Sequence, residues 1–280
     1  MEWYYFLVLF LGCAVIYNQC FKLGLKKSMN LASYMALVSI LSGIFALLFI
    51  PIFEFKLQLD ITKIFLLLIV CIIYAIVDRI NVYVRKNMEV SIFSILKQIS
   101  NVFMIVVGFI FYKEEFLFNR FIGIILILFG NGLALYSKGM IKLDKVLLMA
   151  LLANLLFTIT LFINVNLSDY FSLPLYVFII LFLPGIFICV FEKIGVKKIY
   201  NEFKCIDKRY LFMTAFYGSL MLISQLMAYN LGNITFVAPL CTLTIFLNIV
   251  FGYFILKERN NIVRKLVSSV IIIIAIFLIK

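Results

Sequence analysis

The sequence contains no histidine. That removes the commonest metal ligand and the commonest proton relay near neutral pH. Charge is also scarce: 14% of the 280 residues are charged, 13 acidic against 25 basic. A soluble domain carries about a quarter charged residues, so that class is excluded. No Gly-x4-Gly-Lys-Ser/Thr phosphate loop is present, which argues against ATP-driven work within the chain. Nor is there a DxxxD-like acidic cluster of the kind an intramembrane transferase needs, or a CxxC pair. Of six cysteines, Cys13, Cys20, Cys71, Cys189 and Cys241 fall inside or at the ends of apolar stretches and only Cys205 in a loop. They read as small packing residues. Neither a cofactor nor enzymatic activity is expected.

What the chain has in abundance is apolar surface, at 66% hydrophobic residues and a mean hydropathy of +1.18. A spanning helix needs roughly 20 mainly apolar residues. Ten such stretches follow one another, at about 3–21, 31–53, 61–80, 88–111, 117–136, 145–166, 172–191, 210–230, 235–256 and 261–279. Runs such as "FLLLIVCIIYAIV" and "IIIIAIFLI" exclude the short alternating segments of a β-barrel. "WYYFLVLFLGCAVIYNQCF" lacks a basic leader and is long enough to stay as the first helix. An all-α, multi-pass integral membrane protein is predicted, in a cell (inner) membrane.

The sequence repeats itself. "VGFIFYKEEF" at 107–116 returns as "FGYFILKERN" at 251–260, with Gly108 and Gly252 144 positions apart. "SGIFALLF" at 42–49 lies over "PGIFICVF" at 184–191, and Asn81 over Gln225. The simplest division is two halves, 1–138 and 143–280, each with five spans. Five is odd, so the second half enters the membrane from the opposite side. Inverted halves that exchange tilts open a cavity alternately to either face.

Ten spans in two such halves, each with a fourth helix ending in Gly, an apolar run and a charged turn, resemble the EamA-like transporters of the drug/metabolite transporter superfamily. The turn is usually Gly-Glu-Arg in that family; here it is Lys113, Glu114, Glu115 and then Lys257, Glu258, Arg259. The resemblance covers essentially the whole chain and implies ten helices, secondary transport and a cavity lined largely by the early helices of each half and by the fourth and ninth. It also implies cytoplasmic termini. The basic residues favour the reverse: 19 of them, Lys22, Arg79, Arg85 and Lys265 included, sit in the odd-numbered seams between spans, against five in the even seams and termini. Their place beside membrane spans makes nucleic acid an unsuitable partner for the net charge of +12.

The clearest anomaly is Lys97, near the middle of the fourth span. A charge there costs roughly 2.5–3.5 kcal/mol on insertion scales and usually faces a cavity or a partner. Val90, Ser94, Lys97, Asn101, Met104 and Gly108 fall on one helical face, which places the ammonium among small and polar groups. It either binds a substrate carboxylate or phosphate, or pairs structurally with Asp78 or Glu89. Its counterpart in the second half is Cys241, so the symmetry breaks there. Candidate substrate-binding residues are Lys97, Ser94, Gln98, Asn101, Asn18, Asn154, Gln225, Thr242 and Asn248. Tyr17, Tyr74, Tyr83, Tyr217 and Tyr229 are either cavity aromatics or packing residues. The expected function is secondary transport of a small polar metabolite, an amino acid or organic acid. An exporter of cationic drugs and a lipid-intermediate flippase are the alternatives, with an intramembrane enzyme behind them. Partners are the small-molecule substrate and the lipid bilayer, with the chain a monomer or homodimer.

Overall fold

The computed structural model describes residues 2–57, 60–100, 102–103, 118–136, 144–232, 237 and 240–279. The first copy of the charged turn, Lys113, Glu114, Glu115, lies outside them, as do Asn101, Met104, Gly108 and the junction between the two halves. The described residues form helices α1 (Trp3–Leu25), α2 (Leu31–Leu47), α3 (Ile61–Asn87), α4 (Val90–Leu96), α5 (Phe118–Leu135), α6 (Lys145–Leu167), α7 (Leu173–Phe191), α8 (Val196–Cys205), α9 (Lys208–Leu231), α10 (Thr244–Phe251) and α11 (Ile262–Ile279). An isolated bridge joins Leu57 to Phe171. The protein is an all-α membrane protein. Among the described residues five helices are long and apolar enough to cross a bilayer, including α1, α3, α7 and α9.

Polar residues in the seams start several helices. The Asn30 side chain accepts from the Ser33 N–H at 3.0 Å, and Asp144 accepts from Leu147 N–H at 2.9 Å. Each satisfies one of the donors that a helix leaves open at its first turn.

Three expectations about the spans need correction. The third helix does not end near residue 80 but runs to Asn87, carrying Arg79 and Arg85 with it. Arg85 is buried rather than a seam charge. The helix end is held by Lys22, whose ammonium donates to the carbonyls of Arg85, of Lys86 at 3.1 Å and of Met88 at 2.7 Å. A cation on the open carbonyls of a helix C-terminus satisfies both their hydrogen bonds and the helix dipole.

The fourth and ninth spans, expected as continuous helices, are interrupted. At Lys97 and Gln98 the bonding tightens from four residues to three: Gln98 N–H donates to Ile95 O at 3.0 Å and Ser100 N–H to Lys97 O at 3.2 Å. At Thr242 and Leu243 the same happens, with Leu243 N–H on Leu240 O at 3.1 Å and Ile245 N–H on Thr242 O at 2.9 Å. Neither break contains glycine, and the nearest proline, Pro239, stands three residues before Thr242, so no residue within either break announces it. Beyond α10 the chain continues as a π-helical turn, Gly252–Leu256, which ends on Lys257 in the left-handed conformation.

Packing pairs α1 with α9, α3 with α6, α2 with α7 and α5 with α11. The helices α2 and α7 cross at close range. A side chain added at Gly43 would meet Phe182 Cβ at 2.8 Å, and one added at Gly185 would meet Ile40 at 2.7 Å. Only glycine permits such a close approach. The residues involved are reciprocal: an offset of 142 exchanges Gly43 with Gly185 and Ile40 with Phe182.

The charged turn at 257–259 contributes to packing. Glu258 is buried, and its carboxylate accepts from Val90 N–H at 2.7 Å, Ser91 N–H at 3.1 Å and Ser91 Oγ at 2.6 Å. It caps the start of α4, while Glu89 beside it pairs with the buried Lys265 on α11. The longest seam, 192–209, was expected to be solvated or interfacial and contains α8, an amphipathic helix. Ile199 and Phe203 pack on the core, and Glu202 accepts from Met29 N–H at 3.2 Å and Asn30 N–H at 2.9 Å.

Candidate functional site

The two helix breaks border one cavity of about 190 Å3. Its polar wall comes chiefly from α3, where Tyr74, Asp78, Asn81 and Arg85 recur at helical spacing and all line the space. Ser94, Lys97 and Gln98 enter from the break after α4, Asn154 and Asn164 from α6, Gln225 and Tyr229 from α9, and Thr244 and Asn248 from α10. Tyr17 and Asn18 of α1 complete it.

Arg85 is the most heavily held of these groups. Its Nη1 donates to Asn18 Oδ1 at 2.8 Å, and Asn18 Nδ2 in turn donates to Asn248 Oδ1 at 3.4 Å. The guanidinium lies 4.4 Å from the Phe93 ring centre, 4.8 Å from Phe21 and 5.2 Å from Tyr17. Ring faces attract a weakly hydrated, planar cation, so three of them hold it where an ammonium would lose too much hydration.

Lys97 is held differently. Its ammonium sits 4.8 Å above the Phe157 ring. Neither expected partner takes it: Glu89 is engaged by Lys265, and no ion pair joins Lys97 to Asp78 among the described residues. Asp78 accepts from Ser39 Oγ at 3.4 Å. The cavity wall therefore carries two cations and one carboxylate with no direct ion pair among them, an arrangement suited to a solute that supplies the missing opposite charges.

The break at Lys97 is itself stapled. Ser100 Oγ donates to Lys97 O at 2.7 Å, Asn154 Nδ2 to Leu96 O at 2.9 Å, and Thr158 Oγ1 to Ser100 O at 3.2 Å. These bonds satisfy carbonyls released where the α-helical ladder stops. Nearby, Asn164 Nδ2 donates to Tyr74 Oη at 2.6 Å and accepts from Tyr176 Oη.

Of the residues proposed from sequence, Lys97, Ser94, Gln98, Asn18, Asn154, Gln225 and Asn248 meet in this cavity. Thr242 does not line it; it is buried in the second break. Asn101 lies outside the described residues. Tyr17, Tyr74 and Tyr229 line the space. Arg85 and Asp78 were missed as site residues, the first being counted with loop charges and the second weighed only as a partner for Lys97. The stripe of Tyr74, Asp78, Asn81 and Arg85 was the signal that would have found them.

Residues 1–136 match the family model described as the EamA-like transporter family. Over these residues the chain is similar to the EamA-like transporters. No significant match to a curated protein is found. The likeness implies a broad activity, membrane transport of the drug/metabolite type, in a multi-pass membrane protein. The matched stretch holds Tyr17, Asn18, the whole α3 stripe and Lys97, so the EamA-like portion supplies all three charged groups of the cavity.

Proposed function

We propose that this EamA-like transporter moves a small carboxylate-bearing metabolite, an amino acid or organic acid, by alternating access. The observation that carries the reading is Lys97: a cation at a helix break, facing a cavity, with no carboxylate in salt-bridge reach among the described residues. The substrate carboxylate meets this ammonium, and the Arg85 charge adds to the attraction. Asp78, across the same space, offers a site for an amino group, which favours an amino acid over a simple acid.

Size supports a metabolite. The cavity, at about 190 Å3, is smaller than the roughly 300–1,000 Å3 of sites for drug-sized ligands. Two cations against one carboxylate are also the wrong balance for a lipophilic cation.

The alternating mechanism rests on two inverted halves, 1–138 and 143–280. Helix pairing supports them: α1 on α9 has its mate in α6 on α3, and the α2–α7 crossing exchanges with itself. The excess of basic residues in the odd seams survives removal of Arg85 and favours placing those seams in the cytoplasm. Reporter fusions at both termini test that placement, and cytoplasmic ends overturn it.

The substrate reading is tested by thermal shift of the detergent-purified protein against amino acids, organic acids, phosphorylated metabolites and quaternary amines, beside Lys97→Ala. An amino or organic acid that stabilises the wild type and not the folded variant supports it. Stabilisation by quaternary amines alone, or an equal response of the variant, overturns it.

A further inference from the structure

Away from the solute cavity, a second concavity of about 440 Å3 opens where α2, the end of α7 and the turn leading to α8 meet. Its walls are apolar, with Ile40 from α2 and Ile186, Cys189 and Val190 from α7. Its rim is basic. Lys193 lines it directly, and Lys197 and Lys198 follow in the first turn of α8, all three exposed. The nearest acid in sequence, Glu192, is engaged by Arg79 at 2.5 Å. Val190 is 64% exposed beside the groove and Val196 is 84% exposed just beyond it. Gly195 has open space where a side chain would stand.

The backbone adds an independent oddity. Lys193 follows the end of α7 in the left-handed conformation, φ 50°, with Ile194 N–H closing back onto Cys189 O at 2.8 Å. Glycine is the residue that normally takes this position after a helix. A lysine there keeps an ammonium at the groove mouth against the backbone preference.

Because α2 and α7 belong to the apolar bundle, the groove opens toward acyl chains and its rim lies at the boundary where headgroups stand. An uncharged solute has no use for the rim, and a free anion has none for the walls. We propose that this groove binds one anionic phospholipid, with an acyl chain along Ile40, Ile186 and Val190 and the phosphate at Lys193 and the start of α8. Clustered lysines beside a membrane helix attract acidic headgroups, and the apolar groove makes the attraction site-specific. Glu202, by fastening α8 to the start of α2, keeps the rim in place over the groove.

The test uses the full chain in uncharged detergent, with melting temperature read on adding dioleoylphosphatidylglycerol, dioleoylphosphatidylcholine or inorganic phosphate. The glycerol lipid is expected to raise the melting temperature by several degrees, and phosphatidylcholine and phosphate to leave it unchanged. Lys193→Gly relieves the left-handed backbone, so it is expected to melt no lower than wild type without lipid, yet to need about tenfold more of the anionic lipid. Val190→Trp fills the groove with every charge intact and is expected to lose the response as well. Equal stabilisation by phosphatidylcholine, stabilisation by phosphate alone, or an undiminished response in both variants overturns the proposal.

Discussion

The breaks at Lys97 and at Thr242 are built alike and finished differently. In both, a hydroxyl three residues on closes the turn: Ser100 Oγ on Lys97 O at 2.7 Å, Thr244 Oγ1 on Cys241 O at 2.9 Å. The two hydroxyls are 144 positions apart, the spacing of the charged turns. Around the first break stand Asn154 and Thr158, which hold its carbonyls, and Lys97, which faces the cavity. Around the second stand Phe10 and Ala14, packed in an apolar cluster with Cys241. A scaffold that repeats can thus carry chemistry that does not. The shared part is the backbone device; the unshared part is the charge.

The largest effect expected from this comparison is on solute binding. Losing a charge-assisted hydrogen bond costs about 1.5–3 kcal/mol, or roughly 10- to 150-fold in affinity. Lys97→Ala is expected to weaken binding of the stabilising acid by that factor, whereas Cys241→Ala, at the matching place, changes it less than about twofold; titration calorimetry distinguishes them. Equal losses would mean that the two breaks serve the site alike.

Next comes the staple. Asn154→Leu removes the amide from Leu96 O and leaves a buried carbonyl unmet, a penalty of about 1–3 kcal/mol. Asn154→Leu is expected to lower the melting temperature more than Phe10→Leu, which trims packing at the matching buried position but leaves no polar group unmet. The smallest effect tests the likeness itself: Ser100→Ala and Thr244→Val each delete one hydroxyl bond, and equal destabilisation of about 0.5–1.5 kcal/mol is expected from both in thermal melts.

Much of this molecule was legible in the sequence, because apolar runs of spanning length leave a chain few alternatives. The polar residues of α4, α6 and α10 were found for the same reason: an amide or ammonium stands out against leucine and isoleucine. Arg85 was not found, since a basic residue near the end of an apolar run is ordinarily a boundary marker, and what keeps it inside is an amide and two rings on α1, distant in sequence, with the Phe93 ring beside them. The breaks were illegible too. Nothing in "SILKQIS" disfavours a helix locally, and in "PLCTLTIF" Pro239 stands three residues ahead of the break rather than in it; the carbonyls of the first break are released in a tertiary setting that supplies other donors. Lys193 was read only as a seam charge, and its left-handed backbone carries no signal in residue type.

The carboxylate of Glu258 also imposes an order on synthesis. It meets the start of α4 across 168 positions, so at about 5–20 residues per second the ribosome needs roughly 10–30 s after Val90 to deliver it. Through that interval α4, with Lys97 at its end, waits in the nascent chain with its first turn uncapped. Assembly of the charged helix is then governed by a residue made 168 positions after its start, and a chain stopped before residue 258 leaves it permanently unfinished.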